Sequence, residues 1–210
     1  MIHAYQEIHL NKAQSVLGEA FDYAVNICHI PGDGFIKQFT ASSVSKRMEN
    51  GEPLYLAGKS GIELASEIVK ETTGKELNVD PVERYDRSAE YWICWAVAYY
   101  QWWSGRKYSA IFQAFTFEML QKMYYTLHEA DISKFVDIAD ARIKEMFPDT
   151  NLKRIRTAYG CTQAELAEKS GVSLRSIQMY EQRNKDINKA SADALYRIAK
   201  VLGVCDGRFD

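Results

Sequence analysis

Side chains able to hydrogen-bond a nucleic acid gather in one stretch, Thr162-Gln163-Ala164-Glu165-Leu166-Ala167-Glu168-Lys169-Ser170-Gly171-Val172-Ser173-Leu174-Arg175-Ser176-Ile177-Gln178-Met179-Tyr180-Glu181. Over Leu174–Glu181 the i, i+3 spacing turns Ile177 and Tyr180 to one side of a helix. Arg175, Ser176, Gln178 and Met179 are left on the other. A guanidinium, hydroxyls and amides on one exposed helix face are the groups that bond base edges and phosphate oxygens. Elsewhere the sequence has no Gly-rich phosphate loop, no nucleophile elbow and no metal-ligand spacing.

The elements that must hold this face are also legible. Thr162 with Glu165 forms a capping box, which starts a helix. Leu166 and Ala167 supply its inward face, and Gly171 ends it in the left-handed conformation. Val172 plugs the turn, and Ser173 N-caps the next helix. Upstream, Leu152, Ile155 and Ala158 make an apolar stripe on a helix that Gly160 ends. Downstream, after a loop over Gln182–Asn188, Leu195, Ile198, Ala199 and Leu202 make another, ended by Gly203. Four short helices in a little over 50 residues is about the lower size for an independent core.

Residues Asn151–Val204 resemble the lambda-repressor-like, Cro/C1-type (Xre family) DNA-binding domain of phage and bacterial regulators. The matching residues are Arg156, Gly160, Thr162-Gln163, Leu166-Ala167, Gly171-Val172-Ser173, Ile177, Tyr180-Glu181 and Leu202-Gly203-Val204. The resemblance implies double-stranded DNA as partner, with the Leu174–Glu181 helix in the major groove. It implies phosphate contact at Gln163, beside Thr162, and at the helix that Ser173 caps. Base reading falls to Arg175, Ser176 and Met179. Arg156 and Glu181 match a buried structural ion pair. Leu174 departs from the pattern, since many phage members carry glutamine there. Leucine can touch a thymine methyl but cannot bond adenine twice, which moves direct readout to Arg175, with guanine as its natural target. Arg183, Lys185 and Lys189 read either as solvated loop charges or as phosphate contacts. Helical hairpins of this pattern also occur in protein-binding domains, so DNA binding stands beside a pure interaction module.

Charge divides the chain in the same place. Residues from Asn151 on carry 11 Lys and Arg against 7 Asp and Glu, whereas those before carry 15 against 21. The basic part suits phosphate contact and the acidic part suits another partner. Two domains are expected in an all-α fold: 1–148, an acidic helical domain for dimerisation, sensing or partner binding, and 149–210, the helix-turn-helix bundle. Pro148-Asp149-Thr150 reads as a short hinge. The four cysteines, Cys28, Cys94, Cys161 and Cys205, and the four histidines are scattered, which predicts reduced thiols and no metal or other cofactor. Met1–Leu10 lacks the apolar run of a signal peptide, and no stretch reaches membrane-span length, so a cytoplasmic protein with no membrane partner is expected.

The spacing predicts helices over His9–Ile30, stopped by Pro31-Gly32, and over Phe35–Met48. Glu52–Gly58 reads as extended. Ser60-Gly61-Ile62-Glu63 opens a third helix that Gly74 stops, and Leu77–Arg87 with Pro81 reads as a loop. Ser88–Trp103 is apolar all round and holds every tryptophan of the chain. Trp92, Trp95, Tyr99 and Trp102 share one heptad-spaced face, either the centre of a helical core or a partner or ligand surface. Tyr108–Phe115, Thr116–Leu127 and Ile132–Phe147, the last capped by Asp131, complete the helices. The polar clusters Tyr85, Asp86, Arg87, Glu90 and His128, Glu129, Asp131 read as caps and ion pairs rather than catalytic groups, so no enzyme is expected. The aromatic helix also weakly resembles the helical N-terminal regions of uncharacterised bacterial helix-turn-helix proteins. The Cro/C1-type resemblance implies a transcriptional regulator, expected to be a repressor, and the family's use of two half-sites implies a homodimer. The alternative is an antitoxin whose first domain binds a partner protein and whose second represses the shared operon.

Overall fold

A computed structural model describes residues 3–80, 87–147, 149–183 and 185–204. Pro81, Tyr85, Asp86, Pro148 and Cys205, singled out above, lie outside the described residues. The described residues form twelve α-helices and no strand. They fall into two compact units, one spanning His3–Ile143 and the other the residues from Lys144 on, a division slightly earlier than the expected boundary.

In the first unit α1 (Leu10–Asp22) is the central helix. Its Ala13, Leu17, Ala20 and Phe21 are fully buried. The helix does not run on as α-helix to Ile30. It widens into a π-helical turn over Tyr23–Ile27, where the Cys28 N–H reaches back to the Tyr23 carbonyl at 2.9 Å. Pro31-Gly32 is not a stop but a start. Pro31 takes the N-cap position and Gly32 is the first residue of α2 (Gly32–Ala41), consistent with proline's fixed φ near a helix start. The single helix expected over Phe35–Met48 is broken at Ser42, whose backbone is extended, and α3 (Ser43–Glu49) follows. The segment expected to be extended is also helical, a π-helical turn over Leu54–Gly58. Pro53 sits at its N-cap with α-helical backbone angles. α4 (Gly61–Thr73) opens with the full Ser60/Glu63 capping box and ends at Gly74 in the left-handed conformation.

α5 (Ala89–Ser104) runs antiparallel to α1. The Ala4 N–H bonds the Trp102 carbonyl at 3.0 Å, and Gln14 Nε2 bonds the Trp95 carbonyl at 3.3 Å. Gly18 then meets Tyr91, so closely that a Cβ on Gly18 would lie 2.9 Å from the Tyr91 carbonyl oxygen. The face of α5 turned to the core is Ile93, Cys94, Val97, Ala98, Tyr100 and Gln101. The heptad face expected at the centre is therefore not central: Trp92, Trp95 and Tyr99 are half-buried, and of that set only Trp102 is buried. A helix apolar all round has no hydrophobic side to predict, and its inner face mixes small residues (Cys94, Val97, Ala98) with Ile93, Tyr100 and Gln101. α6 (Tyr108–Ala114), α7 (Phe117–Leu127) and α8 (Ile132–Met146) follow. Phe135 of α8 is buried, with edge contacts to Trp92 and Tyr100.

Gly18→Ala pushes a methyl group against a backbone oxygen that cannot rotate away. It is expected to destabilise the first unit by about 1–3 kcal/mol, measured as a lowered urea midpoint at unchanged slope.

Candidate nucleic-acid interface

The second unit is built of α9 (Asn151–Ala158), α10 (Gln163–Ser170), α11 (Leu174–Glu181), a 3₁₀ turn at Ile187–Lys189 and α12 (Ala192–Leu202). Its core is Leu152, Cys161, Leu166, Ile177, Tyr180, Ile187, Ala190, Ile198, Ala199 and Leu202, with Ile155, Val172 and Leu195 packed against it. Leu152 and Ile155 of the expected α9 stripe turn inward, whereas Ala158 is exposed.

Local chemistry sets each helix start. The Thr162 hydroxyl accepts the Glu165 N–H at 3.2 Å, while the Glu165 carboxylate takes the Thr162 N–H at 2.7 Å. That bond holds the Glu165 carboxyl below the usual glutamate range. Gly171 ends α10 in the left-handed conformation. Ser173 caps α11 by accepting the Ser176 N–H at 3.2 Å and donates its own hydroxyl to Ser176 Oγ at 2.9 Å. The two serines assigned to the DNA face thus hold one another.

Leu174 and Arg175 stand exposed on the first turn of α11, with Ser176 and Met179 half-buried behind them. Leu174 retains 40% of its surface, a large apolar side chain facing outward. Among the described residues Arg175 makes no ion pair. The opposite side of α11 is fixed by a buried knot. Arg156 gives Nε to Glu181 Oε1 at 2.6 Å, Nη2 to Oε2 at 3.0 Å and Nη1 to the Cys161 carbonyl at 2.6 Å. The Glu181 side chain is only 2% exposed. Its hydrogen bonds hold the Arg156 guanidinium protonated above its ordinary range.

Two features escaped the sequence reading. Gln163 donates Nε2 to Glu181 Oε2 at 2.7 Å, so the glutamine assigned to phosphate also completes the knot. The partners are far apart in sequence, and no local signal pairs them. The second feature is Arg183, which has a left-handed backbone, φ 57°. Its Nη2 donates to the Phe147 carbonyl at 2.7 Å. Arg183 therefore ends α11 and ties down the segment that enters the unit, instead of standing free as a loop cation. A signal existed: α11 has no glycine after it, unlike α10 and α12. Lys185 is exposed, with Nζ 5.4 Å from the centre of the Tyr180 ring. Lys189 is exposed too.

Described members of the first unit's polar clusters make these hydrogen bonds. Glu90 accepts from Asn26 and Gln121. The Asp131 carboxylate takes the Ser133 N–H, and His128 Nδ1 lies 2.9 Å from the Tyr124 carbonyl oxygen. Among the described residues no three metal-ligating side chains converge, and no helix is long and apolar enough to cross a membrane.

Arg156→Met strands a buried carboxylate and is expected to cost the second unit about 3–5 kcal/mol. Adding Glu181→Leu is expected to recover most of that loss in the same urea titration, because the uncompensated charge is then gone.

Comparison with known proteins agrees with this geometry. The helix-turn-helix family model matches residues 152–206, about a quarter of the chain. The match is of the Cro/C1-type, lambda-repressor-like class and identifies the C-terminal domain with those of DNA-binding transcriptional regulators of the Xre family. No curated protein and no solved structure matches the chain.

Proposed function

We propose that this protein is a sequence-specific repressor that binds double-stranded DNA as a homodimer, with α11 in the major groove. One observation carries the reading: the first turn of α11 exposes Leu174 and Arg175 while Arg156 and Gln163 clamp its far end through Glu181. A helix held on one side and polar on the other has the form a groove-reading helix needs. Arg175 bonds the O6/N7 edge of guanine, and Leu174 packs on a thymine methyl. Gln163, at the start of α10, has one N–H committed to Glu181 and offers the other to a phosphate. Lys185 and Lys189 add unspecific charge, and the Thr162 and Ser173 caps hold the helix starts in place. Two half-sites and a dimer follow from the way such domains read DNA.

A second reading, a partner-binding antitoxin that represses its own operon, draws on the acidic first unit and the half-buried aromatic side chains it presents.

Selection of bound sequences from a random DNA pool, followed by mobility-shift titration, tests the main reading. Enrichment of a guanine-containing half-site is expected, and no enrichment at low salt defeats it. Arg175→Ala is expected to cost about 1–3 kcal/mol of discrimination at one base pair, whereas Gln163→Ala weakens all sequences alike.

Arg183→Ala separates two roles. A carbonyl tether leaves the slope of log affinity against log salt unchanged, whereas a phosphate contact lowers it by about one unit. The unchanged slope is expected here, together with faster proteolysis around Phe147.

A further inference from the structure

Where α5 passes to α6, the first unit buries polar atoms that its own chain leaves unsatisfied. Tyr108 is fully buried and Gln101 is 1% exposed, yet Tyr108 Oη and Gln101 Oε1 have no hydrogen-bond partner among the described residues. Tyr5 Oη is sealed from solvent and unpartnered as well, as are His3 Nδ1 and Arg106 Nε. Named contacts gather these residues at one end of the unit. Gln101 lies in the last turn of α5 and Tyr108 opens α6, with only Gly105–Lys107 between the two helices. The Tyr108 N–H donates to Glu49 Oε1 at 2.7 Å. Two residues after Glu49, a Cβ on Gly51 would lie 2.8 Å from Tyr5 Cβ. Residues 3–5 close over the end of α5. The His3 ring stacks on Trp102 with centroids 3.7 Å apart, the Ala4 N–H bonds the Trp102 carbonyl at 3.0 Å, and the Trp102 indole N–H bonds the Tyr5 carbonyl at 2.9 Å.

We propose that Tyr5, Gln101 and Tyr108 enclose an internal site for one ordered water, roofed by residues 3–5. The valences select this occupant. Burial pushes both phenols above the ordinary tyrosine range, so each keeps its proton and needs an acceptor. Gln101 Oε1 needs a donor. A water accepts two hydrogen bonds and gives two, so a single molecule satisfies all three atoms, and three bonds are usual for a buried water. An ion is disfavoured because none of the three groups carries a charge to offset its desolvation. The Glu49 carboxylate on the Tyr108 N–H also stands against an anion. A buried hydroxyl left without any partner gives up its hydration with no return, which native folds rarely tolerate, least of all several times at one place. The site lies wholly in the first unit, so the proposal goes beyond DNA binding and does not depend on it.

The test reads the sign of a stability change in the full chain. Tyr108→Phe and Tyr5→Phe each remove a hydroxyl and keep the ring. Losing an unsatisfied hydroxyl would raise the urea midpoint, whereas losing one bonded to water lowers it. Tryptophan emission follows the first unit, because every tryptophan lies on α5. A lowered midpoint is expected for both variants. The double variant is expected to lose clearly less than the two losses added, since the hydroxyls share one water. A raised or unchanged midpoint in Tyr108→Phe, or strictly additive losses, overturns the proposal. Oxygen-17 relaxation dispersion counts long-lived internal waters directly and needs no variant to begin with. The unaltered chain is expected to hold one more such water than the double variant, and equal counts, or none in the unaltered chain, overturn the proposal. His3→Ala thins the roof and is expected to shorten that water's residence time several-fold at an unchanged count. An unchanged residence time overturns the roofing by residues 3–5.

Discussion

The Glu181 carboxylate sits on the last turn of α11, nearly sealed from water, and takes donors from two other helices: Arg156 of α9 and Gln163 of α10. A buried ion pair contributes little net stability beyond what an apolar contact of the same shape would give. What it contributes is direction. Two parallel N–H···O bonds to a planar guanidinium fix the carboxylate's plane, and with it the rotation of α11 about its own axis. That rotation decides whether Arg175 or the buried Ile177 points outward. The third donor carries the constraint to the first turn of α10, so the side chain assigned to phosphate and the helix assigned to base reading are positioned by one group.

The first unit is organised around close backbone approach rather than a charge. α1 lies against α5 at Gly18 and against α4 at Gly61. Tyr100 of α5 is fully buried, whereas its tryptophans lie on the flank, where Trp92 and Trp102 find partners and Trp95 and Trp103, with Tyr99, are only half covered. The same packing that makes the core tight therefore produces the unit's aromatic surface.

The second unit was legible in the sequence because its instructions are local. A capping box, a glycine stop and an N-cap serine occupy fixed offsets, and each does in the structure what its type requires. The pairing of Arg156 with Glu181 was reached only through the family resemblance, and the Gln163 link not at all, since nothing within a few residues pairs them. The first unit was legible as helices but not as packing. Ser88–Trp103 is apolar on every side, so periodicity offers no inner face, and the heptad face, readable as core or as partner surface, is half-buried at Trp92, Trp95 and Tyr99 and buried at Trp102. Glu52–Gly58 reads as extended but is helical over Leu54–Gly58. Pro53 instead takes α-helical angles and starts a turn. Arg183 reads as either a solvated loop charge or a phosphate contact, and its bond to the Phe147 carbonyl, 36 residues away, is not one that local sequence pairs.

The two glycine contacts around α1 also bear on how such a chain diverges. Most tight core contacts can drift, since a larger side chain on one helix is matched by a smaller one opposite. At Gly18 the opposing atom is the Tyr91 carbonyl oxygen, and at Gly61 a Cβ would meet the Glu19 Cβ at 2.3 Å and the Ala20 backbone nitrogen at 2.6 Å. A main-chain atom has no smaller version. Compensation at a second site is closed at these positions, so lineages of this chain would keep both glycines even where every surrounding apolar residue has been exchanged. Two invariant columns would then mark relatives whose overall identity is too low to show kinship.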